Sequence, residues 1–125
     1  MMKGVGLQKS EDFGVKILKL YDHLKERKAP NPIIEQIIKS GTSIGANLNE
    51  ANCAISEKDF LAKVYISLKE CNETRYWLKL LRRTDFITKS LFESLDSDCE
   101  EIYKILSATT FTVRKRINNN ASSNF

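Results

Sequence analysis

Apolar residues recur three and four positions apart along almost the whole chain, and no convincing run alternates apolar with polar. That spacing is the period of helices with one buried face. Of the 125 residues only 5 are Gly and 2 are Pro, so little interrupts the pattern. The expected fold is all-α, and the breaks divide it into four helices and a tail. In the first helix Ser10 can cap "EDFGVKILKLYDHLKERK", with Phe13, Ile17, Leu20, Tyr21 and Leu24 on one face. At "APNP" Asn31 is expected to cap a second helix, with Pro32 at its first position, where the missing N–H does no harm. Ser56 and Asp59 form an S-x-x-D capping box that opens a third helix running to about Arg83. The fourth carries Leu91, Leu95, Cys99, Ile102, Leu106, Thr109 and Val113 and fades near Ile117. Short connections between such helices favour an up-down-up-down antiparallel four-helix bundle. Residues 1–117 are read as a single domain, and 118–125, "NNNASSNF", as a disordered polar tail.

The second helix contains an anomaly. Gly41 and Gly45 lie within its apolar stripe, which also holds Ile34, Ile37, Ile44 and Leu48. A glycine costs a helix interior about 0.5–1 kcal/mol relative to alanine. A phosphate loop would set its glycines after a strand and before a helix start, followed by Lys-Ser/Thr, and neither condition is met. Gly41, Ile44 and Gly45 therefore read as a helix-packing motif that lets a neighbouring helix come close, with a local kink as the alternative.

Composition narrows the class. Hydrophobic residues make up 42% and charged residues 29%, the balance of a globular domain, with enough length to bury about two thirds of the unfolded surface. No apolar run approaches the roughly 18 residues of a membrane span, and the N-terminus lacks the apolar core of a secretory signal. A cytoplasmic protein without membrane contact is expected. Cys53, Cys71 and Cys99 are odd in number and widely spaced, so they read as small buried hydrophobes.

Chemistry-bearing residues are scarce. The single histidine, His23, falls off the apolar stripe and reads as solvated. There is no nucleophile elbow, no H-E-x-x-H helix and no repeated E-x-x-H, so neither an enzyme nor a cofactor is expected. Polar residues do fall near the core. Arg75 lies in the main stripe of the third helix, Asn72 at its border, and Asn47 and Glu50 beside the stripe of the second. One reading is a buried network in which Arg75 pairs with Glu50, completed by Asn47 and Asn72. The other is that the Arg75 head reaches water while its stem is buried.

Two surfaces are candidates for partners. Ala62, Ile66, Trp77 and Leu80 form a second apolar set on the far side of the third helix, which points to oligomerisation or to a protein partner. Lys79, Arg82 and Arg83 close the third helix, and Arg114, Lys115 and Arg116 close the fourth, in a chain of net charge +4. With Tyr76 and Trp77 among them, these cations are candidates for binding RNA or DNA. They could equally complement the helix dipoles, with Arg82 and Arg83 near the acids Glu93, Asp96 and Asp98.

From "SGTSIGANLNEANC" onward the sequence resembles a bacterial family of four-helix bundles that includes proteins encoded in intervening sequences of large-subunit ribosomal RNA genes. The resemblance rests on the S-x-G-A-N segment Ser43-Ile44-Gly45-Ala46-Asn47, the acid Glu50, and the helix start from Lys58 to Leu61. Many relatives have glycine after that acid, where this chain has Ala51. The resemblance implies a ring-like homopentamer. It also implies a nucleic-acid-binding role, because the family takes in a basic pentameric accessory protein of retroelements that binds nucleic acid and a reverse transcriptase. It supplies no catalytic residue.

Overall fold

The computed structural model describes residues 5–123 and consists of α1 (Val5–Glu26), α2 (Asn31–Ala51), α3 (Glu57–Arg83) and α4 (Lys89–Ser123). No strand is present among the described residues. Each helix packs on its neighbour in sequence, and α4 closes the ring against α1 through the least extensive of the four contacts. Every pairing is antiparallel. Gly41 and Gly45 of α2 meet Ile17 and Ser10 of α1, and the Ser67 hydroxyl of α3 donates to the Ile44 carbonyl of α2 at 2.9 Å. Further along, Arg75 of α3 bonds Asp96 of α4, while Lys9 and Lys16 of α1 reach Glu101 and Asp98 of α4, each at 2.7 Å. The up-down-up-down bundle is therefore the observed architecture.

The core follows from the stripes. Phe13, Ile17, Leu20 and Leu24 of α1 meet Ile34, Ile37, Ile44 and Leu48 of α2. Phe60, Val64, Cys71, Leu78 and Leu81 of α3 face Leu95, Cys99, Ile102, Leu106 and Val113 of α4. Small hydroxyls line the α2–α3 seam, where large side chains would hold the backbones apart. Ser40, Ser67 and Thr74 are fully buried, and the Thr74 hydroxyl lies 2.9 Å from Ser40 Oγ and 2.8 Å from the Glu70 carbonyl oxygen. Each is satisfied, as burial of a hydroxyl requires.

Helix ends depart from the sequence reading in three places. First, α1 begins by Val5, and Ser10 sits inside it, buried, donating to the Leu7 carbonyl at 2.8 Å. Second, Asn31 is already helical. Pro30 takes the capping position without a side-chain bond, and Asn31 accepts from Lys25 at 3.0 Å instead. Third, α4 does not fade at Ile117 but continues to Ser123, so residues 118–123 are helical; 124–125 of the expected tail lie outside the described residues, as do residues 1–4 of the domain. The Ser56 half of the α3 capping box forms, and the return bond reaches one residue further back. The Asp59 N–H donates to Ser56 Oγ at 3.0 Å, and the Asp59 carboxylate takes the Ile55 N–H at 3.2 Å. Thr88 caps α4 in the same way, through the Leu91 N–H at 3.1 Å.

α1 and α3 stop by the same device. After α1 the Ala29 N–H returns to the Leu24 carbonyl and the Lys28 N–H to that of Lys25. After α3, Phe86 returns to Leu81 and Asp85 to Arg82. This Schellman geometry needs a left-handed residue, normally glycine. Here Lys28 (φ 59°) and Asp85 (φ 62°) occupy that position.

Candidate nucleic-acid interface

The bundle separates the two basic clusters that the sequence offers as one surface. Lys79, Arg82 and Arg83 end α3, next to the 84–88 loop. Arg114, Lys115 and Arg116 lie at the other end, where Arg116 pairs with Glu57 in the first turn of α3. With a rise of 1.5 Å per residue, the length of α3 puts about 39 Å between these ends. Within one chain they are two sites. Arg82 is held by Asp85 at 3.4 Å, and the acids expected beside it are engaged elsewhere: Glu93 with Lys89, Asp96 with Arg75, Asp98 with Lys16. Lys79, Arg83, Arg114 and Lys115 are exposed and have no ion-pair partner among the described residues.

The end carrying Lys79 and Arg83 gains cations that sequence reasoning did not include. The Arg27 guanidinium donates to the Asp85 carbonyl at 2.7 Å, which ties the 27–30 loop to the 84–88 loop. Lys28, exposed and unpaired among the described residues, comes with it. The run "KERK" was the available signal, but its proximity to Arg82 and Arg83 depends on how the loops meet.

The proposed Arg75–Glu50 network is not what forms. Arg75 turns to α4 and grips Asp96 with both arms, Nε to Oδ1 at 2.8 Å and Nη2 to Oδ2 at 3.0 Å, with Glu100 3.8 Å away. The Asp96 hydrogen bond comes first among the causes that raise the Arg75 pKa. Glu50 lies largely in solvent, with Lys63 at 3.5 Å. Asn47 donates to the Ser43 carbonyl of its own helix at 2.8 Å, and Asn72 is exposed. The reason is rotational: Asp96 is presented by the facing helix within reach of the guanidinium, whereas Glu50 points outward at the end of α2.

Gly41 is where the packing motif acts. A Cβ placed there would lie 2.7 Å from Ile17 Cγ1 and 3.0 Å from Cγ2. At Gly45 the nearest atoms are the carbonyl oxygen and Oγ of Ser10, both at 3.4 Å, an ordinary contact. Ile44 between them is fully buried, and α2 is unbroken, so the glycines mark no break.

On the far side of α3, Ala62 and Ile66 are exposed, while Trp77 and Leu80 are half-buried. The Trp77 indole donates to Glu73 at 3.2 Å and stands edge-to-face with Tyr76, ring centroids 5.1 Å apart.

Two further expectations need correction. His23 is not a solvated residue but half-buried in a groove with Leu20, Leu91 and Leu95, its Nε2 enclosed without a hydrogen-bond partner among the described residues. Of the cysteines, Cys71 and Cys99 are buried but Cys53 is exposed. Burial pushes the Cys71 thiol up to about 12 and the Cys99 thiol higher still, which keeps both protonated and unreactive. Among the described residues no group of three His, Cys, Asp or Glu side chains could hold a metal ion, and no helix is long and apolar enough to cross a membrane.

Comparison with known proteins agrees with this picture. A solved structure of a protein of unknown function from the S23 ribosomal protein family of Bacteroides thetaiotaomicron VPI-5482 is 46% identical, covers 85% of this chain and 98% of its own, and superposes with a TM-score of 0.83. No curated protein matches. The match to the 23S rRNA-intervening sequence proteins runs over residues 5–108, from the first turn of α1 through most of α4. A four-helix bundle with the S-x-G-A-N segment on α2 and a family match over that span make this chain a member of the 23S rRNA-intervening sequence protein family.

Proposed function

We propose that this protein is a non-enzymatic, cytoplasmic, oligomeric helical bundle that engages RNA or DNA through a basic surface. The observation that carries the reading is the joining of two loops by Arg27 and Asp85, which brings Arg27 and Lys28 to the end of the bundle that holds Lys79, Arg82 and Arg83. Arg82 bridges Asp85 and Lys89 bridges Glu93 there, while among the described residues Arg27, Lys28, Lys79 and Arg83 have no ion-pair partner, so positive charge is left over for phosphate. The family description connects such proteins with 23S rRNA, which puts RNA first among the polyanions to be tried. Arg114 and Lys115 at the other end form a second, smaller candidate. A homo-oligomer, a pentamer by family resemblance, would multiply either site, and Ala62, Ile66, Trp77 and Leu80 are its candidate contact. Support for a non-enzymatic role comes from the chemistry of the side chains: burial holds the Cys71 and Cys99 thiols protonated.

The test is anisotropy of a labelled structured RNA and a labelled duplex DNA, titrated with nuclease-treated protein at about 50 and 200 mM salt. Several phosphate contacts would weaken binding by orders of magnitude between the two. Arg83→Glu and Arg114→Glu then distinguish the ends. Absence of binding at the lower salt would refute the reading. It would favour the alternative, a scaffold for another protein, which the 40% exposure of Ile66 beside the Trp77 ring supports.

A further inference from the structure

The outer face of α3 carries a pattern that begins far from the basic cluster at its C-terminus and runs into it. Lys58, Tyr65, Lys69, Tyr76, Lys79 and Arg83 are all exposed. At about 100° per residue they fall within an arc of about 80°, and at 1.5 Å per residue they span about 37 Å. Charge and aromatic surface alternate along it: a cation, a tyrosine, a cation, a tyrosine, two cations. None of the four cations has an ion-pair partner among the described residues, whereas Lys9 and Lys16 of α1 and Arg116 of α4 are each paired to an acid on a neighbouring helix. No acid falls inside the arc. The two that flank it, Glu73 and Glu57, are occupied by the Trp77 indole and by Arg116. Tyr65 and Tyr76 are 41% and 53% exposed, and Tyr76 is braced edge-to-face by Trp77.

From this juxtaposition we propose that the outer face of α3 binds single-stranded nucleic acid, its bases stacking on Tyr65 and Tyr76 and its phosphates lying along Lys58, Lys69, Lys79 and Arg83. The inference rests on the nucleic-acid reading above and names both the substrate class and the surface. Exposed rings spaced between unpaired cations are what an unpaired strand requires, because each base offers a face for stacking and each phosphate a charge. A duplex keeps its base faces buried against one another and could use only the cations. The same charge argues against a second copy of the chain that presents this same face. Two such faces packed about a two-fold axis would set four cations against four.

The experiment measures binding of labelled oligo(U) and oligo(dT) of about 20 nucleotides, and of a duplex of equal length, by anisotropy and by the fluorescence of Trp77, the single tryptophan. Single strands should bind more tightly than the duplex and perturb Trp77. Replacing both tyrosines by leucine should weaken single-strand binding by about tenfold or more and leave the duplex within about twofold, while phenylalanine at both positions preserves binding. Lys69→Gln should lower the salt slope by about one without abolishing the single-strand preference. Circular dichroism and sedimentation of each variant without nucleic acid accompany these titrations. Equal affinity for duplex and single strand, or leucine variants that bind like the parent, would overturn the inference while leaving a basic-surface role intact. Leucine variants that change the sedimentation of the protein alone would also overturn it, by showing that this face joins copies of the chain. No binding of any nucleic acid at about 50 mM salt would remove the wider reading with it.

Discussion

Replacing Gly41 by alanine should destabilise the bundle, whereas the same change four residues later should not. At Gly41 the new methyl would stand 2.7, 3.0 and 3.1 Å from Cγ1, Cγ2 and Cδ1 of Ile17. Carbon atoms in contact prefer about 3.5–4.0 Å. Ile17 has no exposed surface to retreat into, and two of the three atoms branch directly from its Cβ, so turning χ1 exchanges one clash for another. The remaining response is to push α1 away from α2. Overpacking of this kind costs about 1–3 kcal/mol, offset by the about 0.5–1 kcal/mol that alanine gains over glycine in a helix. A net loss centred on about 1 kcal/mol, and of at most about 2.5 kcal/mol, follows. At Gly45 the methyl would sit 3.4 Å from Ser10 atoms and keep the helix-propensity gain, so that variant should be neutral or more stable by up to about 1 kcal/mol. Urea unfolding followed by circular dichroism, at one protein concentration and with unchanged m, measures both. An Ile17→Ala background supplies the control, since there the Gly41→Ala penalty should vanish although Ile17→Ala is itself costly. A Gly41→Ala protein as stable as the parent, or a penalty that persists without the Ile17 branch, would refute the close-packing account.

Asp96→Ala should lower stability by about 1–2 kcal/mol, because it removes both bonds from a partly buried guanidinium, a loss moderated by the solvent that still reaches the pair. Glu50→Ala should change it by less than about 0.5 kcal/mol in the same urea titration, and the reverse ranking would contradict the observed pairing. Lys28→Gly should raise stability by about 0.5–1 kcal/mol, as it relieves a left-handed lysine whose side chain is free among the described residues; an unchanged midpoint would count against that strain. Cys53 should react with an aromatic disulfide reagent in the native protein, and Cys71 and Cys99 only as the bundle opens. A native protein in which all three react together would contradict their burial. Because burial raises the Cys71 pKa to about 12, the native state holds this proton longer than the unfolded chain does, so stability falls as pH rises from about 9 toward 12. Cys71→Ala should flatten that slope by up to about 1.4 kcal/mol per pH unit, and an unaltered slope would remove the thiol from the account.

Helix number, helix type and most of the core could be read directly from the chain. The stripe through Phe13, Ile17, Leu20 and Leu24, and those of the other three helices, are local patterns, and each must be buried whatever it packs against. The capping box at Ser56 and the need for close approach at Gly41 were visible for the same reason, since a few neighbouring residues specify them. Partners across helices were not. Arg75 chose Asp96 over Glu50, and Ile17 proved to be the side chain that Gly41 admits, because helix rotation and register decide such pairs and no periodicity records them. The six basic residues looked like one surface in the sequence, yet an antiparallel bundle sends the C-termini of α3 and α4 to opposite ends. What sequence alone determined is which face of each helix must be dry. Tertiary structure decided which charges were left without partners, and so where a polyanion could bind, because neutralisation depends on the distance between side chains far apart in the chain.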